Sequence, residues 1–310
     1  MINYRNIKRV EKLMGNRFEI CLVHDNEQTA NSLLEEAVSE IKRIEKLLTT
    51  FSPDSQTNLI NQNAGIRPQK VDAEVFALIS RSIKISELTQ GAFDISYGGI
   101  DKSLWNFDTT MKVLPSAEMA LGMVRKINYK NIELEAENQS VFLKEKGMRI
   151  GFGGIGKGYA ADRAKKLLQE KGVKGGYVNA SGDLVTWGRQ FDESSWTIGL
   201  SNPDFQNDNL GTLKIDDMAI STSGDYEKFA VINGKRYSHT IDPKTGLPVT
   251  GIKSVSVIST NAELADAMAT PIMVMGVSTG LNMVNQLNFL ECIIIDNQNR
   301  VFTSENLKVA

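Results

Sequence analysis

Between Val141 and Leu168 the sequence reads VFLKEKGMRIGFGGIGKGYAADRAKKLL, and Gly151, Gly153, Gly154, Gly156 and Gly158 crowd the junction of a strand-like half and a helical half. Val141, Phe142, Leu143, Met148 and Ile150 make the first half strand-like, and the second alternates Ala, Leu and charge at helical spacing. Glycine strips the backbone of side chains where a helix begins, so amides and carbonyls can approach a ligand closely. Lys157 adds a positive charge at that spot, and the combination predicts a phosphate-bearing ligand. Two familiar motifs fit superficially and fail. Gly151 to Gly156 satisfies GxGxxG, but a dinucleotide fold also needs an acidic residue about 20 positions on, where this chain has Gly175 to Val178. Gly151 to Lys157 satisfies GxxxxGK, but Gly158 stands where a P-loop needs a hydroxyl residue. A glycine-rich turn with no ligand is the competing reading, so other segments must decide.

Composition narrows the field. A chain of 310 residues can bury a sizeable core as one compact or bilobed unit spanning 1–310. A formal net charge of -2, with basic residues scattered, leaves no electrostatic footprint for nucleic acid. Cys21 and Cys292 sit alone in apolar contexts and read as buried thiols, not as a metal site or a disulfide framework. The first residues lack an apolar signal region and no later run reaches transmembrane length, so the chain as given is expected to be cytoplasmic.

Asn16 to His24 alternates as a strand, with Met14-Gly15 as a joint before it. Glu27 to Thr49 repeats Leu33, Leu34, Ala37, Ile41, Ile44, Leu47 and Leu48 as a long amphipathic helix, which Phe51-Ser52-Pro53-Asp54-Ser55 stops. A second helix begins after Asp72, its expected N-cap, and gives way at Gly91 to a segment, Gly91 to Ser96, that reads as extended. An aromatic cluster at Trp105 and Phe107 follows. Gly176 to Leu184 reads as strand, Ser-Gly-Asp turn, strand, and Ala219 to Phe229 repeats the pattern. Asp242-Pro243-Lys244-Thr245-Gly246 is a tight turn with proline preset for it. Lys253 to Ser259 is a strand, Asn261 opens a helix, and Leu290 to Phe302 reads as a hairpin turning at Asp296-Asn297. Long amphipathic helices among separated, antiparallel-looking strands predict an α+β fold with mixed or antiparallel sheets, not a βαβα parallel sheet.

Together GGIGKGYAADR (153–163), VNASGD (178–183), STSGDYE (221–227), HTIDPKTGLPV (239–249) and ADAMAT (265–270) resemble the ApbE family of FAD:protein FMN transferases. Shorter matches at MG (14–15), FSPDS (51–55) and GAFDIS (91–96) keep the family's order along almost the whole chain. The resemblance implies a T-fold-like architecture and a magnesium-dependent transfer of FMN from FAD to a Ser or Thr hydroxyl of an acceptor flavoprotein, with AMP released. Related members hydrolyse FAD to FMN and AMP, and a non-catalytic FAD-binding protein is a third reading.

Residue by residue, the resemblance implies FAD contacts at Met14, Phe51, Ala92, Phe93, Asp94, Gly151, Lys157 and Thr240, with the phosphates near Lys157 and the backbone of Gly153 to Gly156. Lys157 and His239 are the implied catalytic residues. An imidazole titrates near neutrality and can take the acceptor hydroxyl's proton, although an aspartate could serve instead. Asp183 and Asp225 either fix their turns or touch ligand, and Tyr159 and Phe51 pack either on ligand rings or in the core. His24 has no such context and reads as structural. Asp266 and Thr270, four apart, project oxygens from one face of a helix and can share one ion. Magnesium takes six oxygen ligands, and the resemblance supplies a third from the protein, the main-chain carbonyl of Gly154. Many family members carry acidic residues where Gly151 and Ala269 stand here, which predicts a weaker metal site, filled mainly with FAD bound.

Overall fold

The strand predicted at Asn16–His24 has a partner on each side, and the centre of the molecule grows outward from it. A computed structural model describes residues 4–100, 113–202, 205–224 and 229–307. β1 (Arg5–Leu13) turns through Met14-Gly15, both at positive φ, into β2 (Asn16–His24). α1 (Glu27–Leu48), α2 (Gln56–Gln62), β3 (Gln69–Lys70) and α3 (Ala73–Leu88) follow. After them come a 3-10 turn at Ile95–Gly99, α4 (Ala117–Val124), β4 (Ile132–Glu135), β5 (Ser140–Leu143) and α5 (Gly156–Glu170). Next are β6 (Gly176–Ala180), β7 (Asp183–Trp187), β8 (Trp196–Asn202), β9 (Phe205–Ile215) and β10 (Ala219–Gly224). The remaining elements are β11 (Phe229–Ile232), β12 (Lys235–Ser238), β13 (Ile252–Ser259), α6 (Ala262–Met275), α7 (Val277–Asn285), β14 (Leu290–Asp296) and β15 (Val301–Thr303).

Among the described residues, eight strands form one sheet in the order β1-β2-β6-β7-β10-β13-β14-β15, every pair antiparallel. This is the α+β architecture expected from the sequence. Side chains alternate across the sheet, so each strand feeds two cores. Phe18, Ile20 and Leu22 of β2 join the main core with the inward faces of α1, α5 and α6, while Cys21 points into a second core. The hairpin of β8 and β9 closes that second face with Trp196, Leu213 and Ile215. Cys21 and Cys292 are the buried free thiols expected, and burial pushes both up to about 12. α1 buries the predicted stripe from Leu33 to Leu48 except Leu47, which is partly buried, and Asn26 caps the helix by accepting from the Thr29 amide at 2.9 Å.

Two expectations need correction. The strand-like run toward Ile150 stops at Leu143; Met148 and Ile150 are buried in a loop whose backbone is paired by a side chain. The Asn61 amide accepts from the Ile150 N–H at 2.7 Å and donates to its carbonyl at 3.0 Å, doing what a neighbouring strand would do. Gly91 to Ser96 is a turn entering the 3-10 segment, not an extended strand, because Asp94 folds back on its own backbone. Trp105, Phe107 and Asp225 lie outside the described residues.

α5 and α6 pack with their backbones in close approach where they cross. A methyl group on Gly158 would overlap the Ala262 carbonyl and come within 2.9 Å of the Asp266 Cβ. Gly158→Ala therefore forces the helices apart, with an expected loss of about 2 kcal/mol or more in urea denaturation; Gly153→Ala, where nothing lies within 4 Å, leaves stability close to that of the parent chain.

Candidate active site

The five glycines of the joint divide into two kinds. Gly156 and Gly158 are buried by packing, Gly156 against Phe152, Met14 and Leu48, and Gly158 against α6. Gly151 and Gly154 are half-buried and Gly153 is exposed, with open backbone. Three predicted ligand-contacting segments converge on this joint. A Cβ built on Gly151 would meet Thr50 at 3.7 Å, on Gly154 Phe93 at 3.7 Å, and on Gly156 Met14 at 3.6 Å. Phe51, next to Thr50, is 97 % exposed and packs in no core, leaving its ring available to a ligand. Ala92 and Phe93 are buried. Asp94 is engaged locally: its carboxylate accepts from the Ser96 amide at 2.8 Å, the Ser96 hydroxyl at 2.6 Å and the Tyr129 amide at 2.7 Å. Burial raises its pKa against those hydrogen bonds.

One face of α6 spans the rest of the site. Asp266, Thr270 and Met273 stand at i, i+4 and i+7, and so line up along the helix. Asp266 meets the start of α5, where its Oδ2 accepts from the Gly158 amide at 3.1 Å and its Oδ1 lies 3.6 Å from the Lys157 ammonium. Thr270 lies 3.2 Å from the Ser223 hydroxyl of β10. The Met273 sulfur lies 3.6 Å from the Thr240 hydroxyl, and His239 is exposed beside it. Pro271 removes the amide that would have bonded the Ala267 carbonyl, in the turn that carries Thr270. The turn at Asp242 to Gly246 holds the His239 segment in place. Asp242 accepts from the Lys244 amide at 2.8 Å and the Thr245 hydroxyl at 3.0 Å, and Gly246 at φ +72° presses against the backbone of Ala120 in α4.

Lys157, the cation at the glycine joint, is paired twice. Its ammonium donates to Asp183 and also faces Asp266, while Asp183 accepts from Ser221 as well. Burial works against the Lys157 charge, but Asp266 and Asp183 outweigh it and hold the pKa above the ordinary value. Burial also raises the Asp266 pKa, Asp183 adds to this, and Lys157 and the Gly158 amide oppose it. Asp183 does not fix its turn; Asn179 does, accepting from the Gly182 amide at 2.9 Å. The involvement of Asp183 is what sequence reasoning left undecided, and its only signal was the Ser-Gly-Asp pattern. Tyr159, considered for ring stacking, donates instead to Glu74 of α3 and lies beneath Arg81. His24 accepts from the Asn26 amide at 2.9 Å, a structural role.

A carboxylate, a hydroxyl and a glycine carbonyl are hard oxygen donors, and the ammonium seated between two carboxylates marks a spot that stabilises positive charge. These residues fit a magnesium ion. Among the described residues no three His, Cys, Asp or Glu gather in a metal-binding group, so such an ion would need waters or substrate oxygens to complete its shell. Among those residues, too, no helix is long and apolar enough to cross a membrane.

The model of the ApbE family matches residues 14–294. A FAD:protein FMN transferase of Klebsiella pneumoniae (strain 342) is 31% identical over 294 residues, covering 94% of this chain and 90% of that protein. The ApbE protein of Thermotoga maritima superposes with a TM-score of 0.85 at 29% identity, covering 97% of both chains. The apo flavinyl transferase ApbE of Pseudomonas stutzeri has the same fold, with a TM-score of 0.84 at 24% identity, over 97% of this chain and 95% of that one.

Replacing Lys157 by methionine removes the charge that holds the two carboxylates. The folded pKa of Asp266, already raised by burial, then rises further, and an acid with a raised folded pKa loses stability as pH climbs from its unfolded value through its folded one. The deficit of Lys157→Met against the parent is therefore expected to widen as pH climbs through the parent's raised Asp266 value, where the parent's carboxyl ionises in the folded state and the variant's does not. Denaturant titrations across that range check it; a deficit independent of pH would contradict the pairing.

Proposed function

The chain belongs to the ApbE family, and from that membership we propose that it transfers the FMN moiety of FAD to a Ser or Thr hydroxyl of an acceptor flavoprotein, using magnesium. The observation that carries the reading is the single face of α6, which links Lys157 and Asp266 at the open glycine joint to Thr240 and His239 about two turns away. The acceptor oxygen attacks the FMN phosphorus, the bond from that phosphorus to the AMP oxygen breaks, and the hydroxyl proton passes to the His239 imidazole. AMP leaves as its phosphate.

Lys157 and the open backbone of Gly153 and Gly154 hold the pyrophosphate, since fixed donors neutralise charge that grows as the bond breaks. Met14, Phe51, Ala92 and Phe93 form the walls against which the nucleoside packs, and Gly151 leaves room beside them. Asp94 shapes that wall through its turn, and its carboxylate is the least available of the proposed contacts because three donors already occupy it. Thr240 lies toward the flavin. Asp266, Thr270 and the Gly154 carbonyl would hold the magnesium ion, which when bound supplies Lewis-acid stabilisation of the phosphates. The exposure of His239 suits an acceptor that is itself a protein, because a base at the rim can be reached by a hydroxyl on another chain.

Incubation with FAD, magnesium and candidate flavoproteins is expected to add the mass of FMN, less water, to one acceptor, with AMP released in equal amount. His239→Asn is expected to leave FAD affinity within about threefold and to slow transfer by about a hundredfold or more. Transfer by that variant at the parent rate at every pH assigns the base elsewhere. FMN and AMP appearing equally fast without any acceptor would replace transfer by hydrolysis, and tight FAD binding without turnover under any divalent metal would leave a binding protein. Asp266→Ala is expected to abolish turnover with magnesium or manganese while the fold persists; full activity of that variant, or activity unchanged by excess chelator, removes the metal role.

A further inference from the structure

Asp162 lies one helical turn beyond Gly158 on α5, so both face α6. Its two carboxylate oxygens accept from the amides of Ala262 at 3.0 Å and Glu263 at 2.8 Å. Asn261 takes the next amide, that of Leu264, at 2.9 Å. The first amides of a helix have no partner within it, and here a side chain from a different helix takes two of them. In the other direction, the Gly158 amide of α5 reaches Asp266 of α6 at 3.1 Å. Three hydrogen bonds in opposite senses thus join the helices at their tightest crossing. Asn261 alone would cap α6; what Asp162 adds is a fixed relation between α6 and α5.

We infer that Asp162 is a positioning residue: by gripping the first turn of α6 it sets the rotation and height of that helix, and so the place of Asp266 and Thr270 against Lys157 and Ser223. The inference rests on the transferase reading above. Burial pushes the Asp162 carboxyl up to about 6 despite the two amides and Lys165, so the grip is maintained against a desolvation penalty. The charged groups around it are Lys165 on its own helix, Glu263 on α6 and Arg81 on α3. Arg81 pairs with the Glu263 side chain at 2.5 Å, a contact that bypasses the backbone grip and supplies a control.

The test compares Asp162→Asn, of equal size but with an amide group turned toward a backbone N–H, with Glu263→Gln, which weakens the Arg81 pair and keeps both backbone bonds. Melting temperature, FAD affinity, Mn2+ affinity by spin resonance with FAD present, and single-turnover FMN transfer are measured on the full chain. Asp162→Asn is expected to stay folded and bind FAD within about threefold of the parent, yet to bind Mn2+ and transfer FMN at least about tenfold more weakly and slowly, since small misplacements at a site have large effects. Glu263→Gln is expected to match the parent throughout. Parent-like Mn2+ affinity and rate in Asp162→Asn, an equal loss in Glu263→Gln, or no Mn2+ binding by the parent overturns the inference. If Asp162→Asn does not fold, Asp162→Glu is judged by the same measurements: weakened Mn2+ binding in a folded variant supports the role and parent-like binding overturns it. A parent chain that binds Mn2+ but transfers no FMN defeats the transferase reading alone, and the Mn2+ comparison still decides the role of Asp162.

Discussion

The site depends on how closely α5 can approach α6. Without a side chain at Gly158 the two backbones touch, and that approach brings the start of α5, with Lys157, against Asp266. The sheet supplies the other member of the charged group, since Asp183 at the start of β7 reaches Lys157 from below. An ammonium between two buried carboxylates holds only as a set: removing one member leaves the others buried without compensation, at about 3 to 5 kcal/mol. Packing and charge therefore impose the same geometry, and the helix face running from Asp266 to Met273 carries that geometry outward to His239.

Much of this was legible because the relevant physics is local. The stripe of α1 repeats every three or four residues, and β2 alternates around Phe18, Ile20 and Leu22, so both appear in the sequence with their bounds. The i, i+4 relation of Asp266 and Thr270 needs only a helix to hold, and it does. The segments gathered at the glycine joint were named from family resemblance, not from spacing, and Met14, Thr50 and Phe93 do surround it.

What stayed hidden depends on distant partners. β1 carries charge on both faces and buries only Leu13, so it lacks an apolar signal; pairing with β2 and contacts such as Arg9 with Glu35 hold it. Ile150 reads as strand because it ends an apolar run, but its strand-like hydrogen bonds come from Asn61, 89 positions away. Asp183 reads in the sequence as either a turn residue or a ligand contact, and only the fold brings Lys157 and Ser221 to it. For Asp94, two of the three donors on its carboxylate come from Ser96, two positions on, and only the Tyr129 amide arrives from a distant segment.

The two positions where the family resemblance implies a carboxylate, Ala269 and Gly151, have different settings. Ala269 is fully buried in the main core, where an alanine packs without the penalty of an unpaired charge. Gly151 is half-buried with only ordinary contacts at the place of a side chain, so its glycine widens the cleft beside Thr50. Both leave the charge at the site to Lys157, Asp183 and Asp266. A crystal structure with FAD and magnesium tests this most directly. The pyrophosphate is expected over Gly153 and Gly154, within hydrogen-bond reach of Lys157, and the ion bound to Asp266 and Thr270; a pyrophosphate bound away from the glycine joint, or an ion that touches neither residue, would overturn this placement.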